Sequence, residues 1–330
     1  MVFLDNHREP GGARRKRLSN RVLGPVVLRP VLLVLLAGSF ACRAQKLAPT
    51  PEYAAFQHPE RVTIANYSGD AMEPFLTHDG RYLLFNNRND PSVNTNLHYA
   101  ERIDDLHFAY RGEIQGVNTD ALEGVPSLSC DGTLYFVSTR SYKDTFSTIY
   151  RAHFEKGVAT NVEIVPGISR RAPGWVNFDA EISADGETLY SVDSQFKNGM
   201  PATADIFIAK KHGDVFERAS DSNAVLKLVN TKALEYAPAI SSDGLELFFT
   251  RVEKVTATAE PRIWRAARKN SHEPFGEPQL VSAITGFAEG PTLSPDGLSL
   301  YYHAREGGKF VVFRVTRKAS EMRQNDCPAP

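Results

Sequence analysis

The sequence contains few cysteines and tryptophans and lacks several common catalytic motifs. There are three cysteines and two tryptophans in 330 residues. No Gly-x-Ser-x-Gly occurs, which excludes a serine hydrolase of the usual kind, and there is no glycine-rich phosphate loop. The nine histidines include no His-x-His or His-x-x-x-His pair. We therefore expect no metal site and no cofactor.

Acidic residues outnumber basic ones once the N-terminus is set aside. The whole chain has 38 basic and 39 acidic residues. Residues 1–44 hold eight of the basic and two of the acidic residues, which leaves 30 and 37 and a net charge of −7. An acidic body argues against a protein that binds nucleic-acid phosphates. The hydrophobic fraction of 42% is enough to build a sizeable core.

The N-terminus has the order of residues that is typical of a secretory signal. Residues 1–21 are basic, and residues 30–38 form an apolar run of nine that is too short to span a bilayer. Small residues follow up to Ala44. We therefore predict a signal peptide over residues 1–44, followed by a linker over residues 45–60, and export of the mature protein to the periplasm.

The cysteines leave two questions open. Cys42 would be the attachment point of a lipid if residues 1–41 were a lipoprotein signal, and the protein would then be anchored at the outer membrane. We expect membrane attachment only in that case. Cys130 and Cys327 could form a disulfide in an oxidising compartment, although their spacing does not require it.

Internal repeats are the strongest signal in the chain. Five segments share a pattern that ends in Asp-Gly, and the aspartates are 52, 54, 58 and 53 residues apart: Asp79, Asp131, Asp185, Asp243 and Asp296. Asp-Gly is a hairpin turn signal, because glycine accepts a positive φ and aspartate caps the turn. Sustained helical periodicity is absent from residues 45–330, so each repeat is expected to consist of strands.

Each repeat has room for four strands. An apolar strand precedes the Asp-Gly turn and an aromatic one follows it, as in Leu83-Leu84-Phe85. A third strand follows about 16 to 21 residues after the aspartate, and a fourth ends near segments such as residues 117–119 and 228–231. Four strands repeated radially predict an all-β fold, a single β-propeller over residues 61–318 with a polar tail over residues 319–330. Five blades are expected, with six as the alternative.

The two ends of the repeat region predict how the ring closes. The last repeat has no fourth strand before the polar tail, and residues 62–66 resemble a fourth strand without its three partners. An N-terminal strand that completes the last blade would remove two exposed sheet edges at once.

The last repeat resembles a known family. Ser294-Pro295-Asp296-Gly297 followed by Leu300-Tyr301-Tyr302 is similar to the WD40-like, or PD40, repeat of the TolB family of β-propellers. The resemblance covers about residues 60–317 and implies the propeller fold. It implies no particular activity, because propellers host many unrelated functions.

Charged residues recur at one end of the predicted hairpins. Acids stand at the entrance to the first strand and arginines at the exit of the second: Glu73, Glu123, Asp179 with Glu181, Glu235 and Glu289, and Arg88, Arg140, Arg251 and Arg305. Hairpin geometry brings these two positions together near the axis. They could hold neighbouring blades together through backbone N–H groups and ion pairs, or form a polar funnel that binds a ligand.

Two observations bear on a ligand. Glu289-Gly290-Pro291 resembles the segment that carries the general acid in five-bladed furanosidase-type glycosidases, and the resemblance implies that role for Glu289. Trp175 lies in an insertion specific to the third repeat, near the irregular residues 197–201, and could stack on a sugar. His303 could also face the funnel, although a histidine at such a position is more often a core or surface residue.

Two functions follow from these observations. The first is an exported, monomeric, non-catalytic propeller that binds a protein or glycan partner at the cell envelope. The alternative is a glycosidase-like, carbohydrate-active enzyme that uses acidic residues of the central funnel.

Overall fold

The structure is a computed structural model that describes residues 54–89, 94–197, 199–253 and 260–318. The predicted signal peptide, Cys42, most of the linker, Cys327 and the 319–330 tail lie outside the described residues. Export, lipidation and a Cys130–Cys327 disulfide therefore stay predictions. Within the described ranges, no helix is both long and apolar enough to cross a membrane.

The described residues form an all-β fold with two single-turn helices, α1 (Tyr142–Thr145) and α2 (Ser222–Val225). The strands, in chain order, are β1 (Gln57–Arg61), β2 (Thr63–Ala65), β3 (Met72–Leu76), β4 (Tyr82–Asn86), β5 (Leu97–Arg102), β6 (His107–Glu113), β7 (Glu123–Leu128), β8 (Thr133–Ser138), β9 (Ile149–Glu155), β10 (Val158–Ile164), β11 (Trp175–Ile182), β12 (Thr188–Lys197), β13 (Met200–His212), β14 (Val215–Arg218), β15 (Leu234–Ile240), β16 (Glu246–Val252), β17 (Arg262–Ala267), β18 (Gln279–Leu280), β19 (Ala288–Leu293), β20 (Ser299–Glu306) and β21 (Lys309–Thr316).

Consecutive strands pair as antiparallel hairpins in repeated groups. We number these groups 1 to 5: β3–β6, β7–β10, β11–β14, β15–β18 and β19–β21. β1 completes group 5 by pairing antiparallel with β21, and β2 adds a parallel strand to β6 of group 1. One residue pair, Ala204 with Leu234, joins groups 3 and 4 into a continuous sheet.

The first strands of the groups lie together at the centre of the fold. β3 contacts β7, β7 contacts β11, β11 contacts β15, β15 contacts β19, and β19 contacts β3. A closed ring of first strands, with the later strands of each sheet outside it, is the architecture of a β-propeller. The prediction of an all-β propeller is therefore confirmed.

Apolar side chains fill the interfaces between neighbouring groups. One buried cluster joins Leu84 of group 1 to Phe136 of group 2. On β20, Tyr301 belongs to the cluster shared with group 1 and Tyr302 to the cluster shared with group 4. Both faces of the second strand are therefore covered, which explains why these strands are continuous apolar runs without alternation.

The strand that closes the ring differs from the prediction. β1 (Gln57–Arg61) completes group 5, whereas residues 62–66 contain β2, which pairs with group 1. Most of β1 falls in the predicted linker. The sequence did not indicate a strand there because the segment is polar and includes Pro59, which is not typical of a strand. An edge strand tolerates proline, and the Glu60 carboxylate binds Arg314 of β21 at 2.7 Å.

Two of the predicted fourth strands are also wrong. Residues 117–119 and 228–231 come after β6 and β14, which are the actual fourth strands of groups 1 and 3. The side chains of Asn118 and Asn230 take the place of a pairing strand. Asn118 Oδ1 accepts the N–H of the third-strand residue Leu97 at 2.8 Å, and Asn230 makes the equivalent bond in group 3.

The N-terminal closure predicts a large effect of one substitution. Phe56 precedes β1, is 6% exposed, and packs edge-on against Phe248 of group 4 at 5.8 Å. We expect Phe56→Ala to lower the free energy of unfolding by about 3–5 kcal/mol, measured by denaturant titration, because it opens a cavity in the closing interface. The control is Gln57→Ala at an exposed position. A loss below about 1 kcal/mol would show that this segment does not close the ring.

Candidate functional site

The predicted acids occupy four different positions of the repeat, and Glu181 has one of them to itself, four residues before its aspartate. Counting back from the aspartate of each Asp-Gly turn, the residue eight before is Ala71, Glu123, Asn177, Glu235 or Ala288. The residue seven before is Met72, Gly124, Phe178, Tyr236 or Glu289, and the residue six before is Glu73, Val125, Asp179, Ala237 or Gly290. Successive side chains of a strand point to opposite faces, so these positions have different surroundings.

Glu123 and Glu235, at the first of these positions, hold their own groups together. Glu235 is fully buried and accepts hydrogen bonds from Thr231 N at 3.1 Å and from Arg251 Nε at 2.9 Å. Glu123 is also fully buried, and its donors are Thr119, Ser138 and Arg140. Both carboxylates are saturated by internal donors, which is an architectural role.

Asp179 and Glu181 connect neighbouring groups. Asp179 Oδ2 accepts the N–H of Ala237 at 2.7 Å, and Glu181 Oε1 accepts the N–H of Ile240 at 3.1 Å. Burial raises the pKa of Glu181 to about 8 and that of Asp179 well above its usual range. These two carboxyls are backbone acceptors between groups 3 and 4.

The four arginines at the hairpin exits have unlike partners. Arg88 binds Asp70 at 2.9 Å, and Arg140 and Arg251 bind the buried glutamates of their own groups. Arg305 lies over the rings of Phe287 and Phe310, with its guanidinium carbon 5.6 Å and 5.3 Å from their centroids. The structure therefore pairs each of the first three with a carboxylate but places Arg305 on two aromatic rings.

Trp175 lies at the start of β11, where another side chain covers it. The guanidinium carbon of Arg170 is 4.4 Å from the centroid of the Trp175 ring, and Arg170 Nε donates to Asp193 at 2.7 Å. One face of the indole is thus occupied by an arginine that is itself held in place. The structure keeps Trp175 apart from the central acids.

Every first strand carries an irregularity at the same point. The ladder between first and second strands shifts register just after the positions counted above. The residue six before the aspartate has a left-handed φ in four groups: Glu73 (48°), Val125 (52°), Ala237 (47°) and Gly290 (61°). Such a bulge leaves its N–H without a ladder partner, and another group must supply the acceptor.

The preceding group supplies that acceptor from a side chain. Val125 N donates to Asn86 Oδ1 at 3.0 Å, and Gly290 N donates to Thr250 Oγ1 at 3.3 Å. Between groups 5 and 1, Glu73 N donates to His303 Nδ1 at 3.2 Å. His303 is therefore part of the fold, and this contact brings it between two carboxyl groups.

Glu289 receives two hydrogen bonds at the centre of the fold. The hydroxyl of Tyr236 donates to Glu289 Oε1, and His303 Nε2 lies 3.2 Å from Glu289 Oε2. Because Nδ1 of His303 accepts the Glu73 N–H, its proton is on Nε2, which donates to Glu289. Both oxygens of the Glu289 carboxyl are therefore hydrogen-bond acceptors.

Tyr236 keeps its proton in this environment. Burial and the charge of Glu289 raise the pKa of Tyr236 well above its usual range. The Tyr236 hydroxyl therefore remains a donor to Glu289 at neutral pH.

Glu73 is in the opposite situation to Glu289. Glu73 is 9% exposed, and its carboxyl accepts no hydrogen bond from the residues that the structure describes. Burial, and secondarily the charges of Glu289 and Asp179, raise the pKa of Glu73 to about 8 against the lowering effect of His303. A proton on Glu73 is thus retained at neutral pH, about 5 Å or less from Glu289, since one atom each of Glu73, Glu289 and His303 lie within 4.8 Å of one another.

The same three residues have a spacing that would suit a metal ion. The donor set does not fit one well. His303 Nδ1 already uses its lone pair on the Glu73 N–H, and Nε2 carries the proton that binds Glu289. Binding a metal would require His303 to exchange tautomers and lose its contact with Glu73.

The sequence did not single out Tyr236, and it assigned His303 no role. Their signal is present in the repeat alignment, since Tyr236 and Glu289 both stand seven residues before their aspartates. The sequence analysis treated the acids as a single ring, although they stand at different positions of the repeat. Counting each acid from its own Asp-Gly turn separates Glu289 and Glu73 from Glu123 and Glu235.

Comparisons with known proteins identify a fold and no family. No protein-family model and no curated protein matches the chain. A solved structure of BT0996 in an RGII complex is 11% identical with a TM-score of 0.50, covering 84% of this chain and 96% of its counterpart. The catalytic domain of the GH62 α-L-arabinofuranosidase of Coprinopsis cinerea is 11% identical with a TM-score of 0.47, covering 82% and 98%. TolB from Acinetobacter baumannii is 16% identical with a TM-score of 0.41, covering 77% and 56%.

Gly290 predicts a test of the contact between the two acids. A Cβ at Gly290 would lie 2.6 Å from Glu73 Oε2, at a φ of +61°. We expect Gly290→Ala to lower the free energy of unfolding by the left-handed backbone cost of about 1–2 kcal/mol and, in addition, by the cost of displacing the Glu73 carboxyl. The control is Gly286→Ala, which has a φ of +73° and no atom within 4 Å of the new Cβ. Equal losses in denaturant titrations would show that Glu73 is not packed against Gly290.

Proposed function

We propose that this protein is a carbohydrate-active enzyme that hydrolyses a glycosidic bond at the centre of a five-bladed propeller. In this proposal the five strand groups are the blades, and β1 closes the ring. The carrying observation is the pair Glu73 and Glu289, two adjacent carboxyl groups with unlike surroundings: Glu289 accepts two hydrogen bonds, whereas burial raises the pKa of Glu73 to about 8. Such a division is what acid-assisted glycoside cleavage requires.

The hydrogen bonds support one assignment of roles. Glu73, whose carboxyl keeps its proton and accepts no hydrogen bond from the described residues, is the general acid that protonates the leaving oxygen. Glu289, which receives two donors, is the carboxylate that acts at the anomeric carbon. This exchanges the role that the resemblance of the Glu-Gly-Pro segment implied for Glu289, because Tyr236 and His303 both donate to its carboxyl.

The separation of the two groups supports a mechanism with retention of configuration. Their nearest ligand atoms lie within 4.8 Å. Retaining glycosidases hold their carboxyl groups about 5–5.5 Å apart, whereas inverting enzymes need about 6.5–9.5 Å to admit a water molecule. Glu289 would therefore attack the sugar directly, and water would release it in a second step assisted by Glu73.

Aromatic rings beside Glu289 support a sugar as the ligand. Phe178 and Tyr236 occupy the same repeat position as Glu289, and their ring centroids lie 5.8 Å apart. The extended β12–β13 hairpin adds Phe196, edge-on to Phe178 at 6.3 Å. All three side chains are partly exposed. A row of partly exposed rings that ends at a carboxylate suits the apolar face of a sugar.

The non-catalytic binding protein is the second candidate. It is favoured by the internal hydrogen bonds of four of the acids, which leave few carboxyl groups for catalysis: Glu123, Asp179, Glu181 and Glu235. In either case the proposal includes export to the periplasm or a lipid anchor at Cys42, a monomer, and a glycan or envelope protein as partner. The PD40 likeness to the TolB family remains part of the same proposal.

The enzyme and the binding protein differ in how they respond to two substitutions. We expect Glu73→Gln and Glu289→Gln each to reduce hydrolysis of aryl glycosides and oligosaccharides by about 10²–10⁴-fold while the melting temperature stays within a few degrees. Glycan binding should survive in both variants. Unchanged hydrolysis in either variant, or binding of glycans by an intact protein that cleaves none of them, would favour the binding protein.

The pH profile checks which carboxyl is the acid. Since Glu73 must carry its proton and has a pKa of about 8, kcat/KM should fall as pH rises through about 8. Glu181 also has a pKa of about 8, so Glu181→Gln is the matched control. The basic limb should persist in this control; its disappearance there would assign the limb to Glu181 instead.

A further inference from the structure

Blade 5 carries the arginine of a repeated ion pair without its acid. In blades 2 and 4, a glutamate eight residues before the aspartate binds the arginine at the end of the second strand. In blade 5 that position is Ala288, and Arg305 has no hydrogen bond or ion pair with the residues that the structure describes. Blade 5 therefore keeps the arginine but lacks the ion pair that the arginine forms in blades 2 and 4.

Aromatic contacts hold Arg305 in place of an acid. The guanidinium lies over Phe287 and Phe310, at 5.6 Å and 5.3 Å from the ring centroids. Cation–π contacts orient an arginine while its N–H donors remain available to another partner. An arginine without a preferred position would instead extend freely into water.

Arg305 lies on the same strand as His303, which contacts Glu289. His303 and Arg305 are two residues apart on β20, so their side chains leave the same face of the strand about 7 Å apart. Phe287 touches both residues, since its ring centroid lies 6.3 Å from that of His303. Arg305 is therefore two residues nearer the exposed end of β20 than His303, which contacts Glu289.

The neighbouring charges around Arg305 are already engaged. Glu306 binds Arg61 at 2.8 Å, and Arg88 binds Asp70 and Gly308 O. Lys309 Nζ donates to Ser68 O at 2.6 Å. An anion that enters the funnel would meet the carboxylate of Glu289 and needs a cation with free donors, which Arg305 provides.

We propose that Arg305 binds an anionic substituent, a carboxylate or a sulfate ester, on the sugar held at Glu73 and Glu289. The proposal rests on the proposed function and adds a substrate class, an acidic glycan. The planar guanidinium offers two parallel N–H donors that match both groups. The partner it lacks within the blade would then come from the substrate.

The test measures binding without turnover. In a Glu289→Gln background of the full chain, calorimetry compares uronate-containing, sulfated and neutral oligosaccharides of equal length. We expect Arg305→Gln to weaken binding of one acidic class about tenfold or more and to leave the neutral ligand unchanged. The class that responds distinguishes a carboxylate from a sulfate.

The matched control is an arginine that also lies over an aromatic ring, but at the Asp-Gly end of the first hairpin of blade 1. Arg81 lies 4.9 Å from the ring centroid of Tyr82 and pairs with Glu101. Arg81→Gln should change none of the affinities. Equal weakening for acidic and neutral ligands by Arg305→Gln, or no weakening at all, would overturn the proposal.

Small anions separate this inference from the proposed function. A free hexuronate and inorganic sulfate are titrated into the intact protein and into its Arg305→Gln variant. Binding that depends on Arg305 in a protein that hydrolyses no glycoside would support the anion site and refute the enzyme. Hydrolysis of neutral glycosides with no dependence on Arg305 would refute the anion site alone, and failure of every anion and glycan to bind would refute both.

Discussion

The fold depends on how its first strands satisfy their backbone at the centre of the ring. Each of these strands bulges at the same place, and the N–H exposed by the bulge needs an acceptor from another blade. Asn86, Asp179, Thr250 and His303 provide one for the blade that follows. The centre of this propeller is therefore polar by necessity, because an apolar side chain at these positions would leave a buried donor unpaired.

That constraint explains how unlike polar side chains can meet within a structural layer. A repeated position that must accept a hydrogen bond permits amides, hydroxyls, carboxylates and imidazole alike. His303 accepts the N–H of Glu73 with Nδ1, and its Nε2 remains for a second contact. Asparagine or threonine would place a second polar group in a different geometry. The second nitrogen reaches Glu289. The contact that closes group 5 onto group 1 is thus the one that brings His303 to both acids.

Much of the fold was predictable from the sequence, because Asp-Gly turns and covered aromatic strands are local signals. The spacing of the aspartates predicted the repeats, and the strands that follow them are where the pattern placed them. The closing strand was not predictable in the same way. β1 is polar and contains Pro59, and its pairing is determined by Arg314 and by the open edge of β21, about 250 residues away in the sequence.

The site was predictable in composition but not in role. Glu73, Asp179, Glu235 and Glu289 are all acids near the start of a first strand, and the local sequence separates them only by their distance from the Asp-Gly turn, which Glu73 and Asp179 share. Their roles come from residues in other blades: Ala237 binds Asp179, whereas Tyr236 and His303 bind Glu289. Glu235 is neutralised by Arg251 of its own hairpin, and that pair could have been found by counting from the Asp-Gly turn.

The departures from the repeat therefore carry more information about function than the repeat itself. Four residues before the aspartates, Ser127, Glu181 and Thr292 hold neighbouring groups together, because each accepts an N–H from the next first strand. Seven residues before the aspartates the blades disagree completely, and this level combines a glycine, a methionine, two aromatic rings and a glutamate. A ring of identical residues there would give a symmetric channel. The asymmetric level of this protein has an aromatic pair, Phe178 and Tyr236, on one side and a single acid, Glu289, beside it.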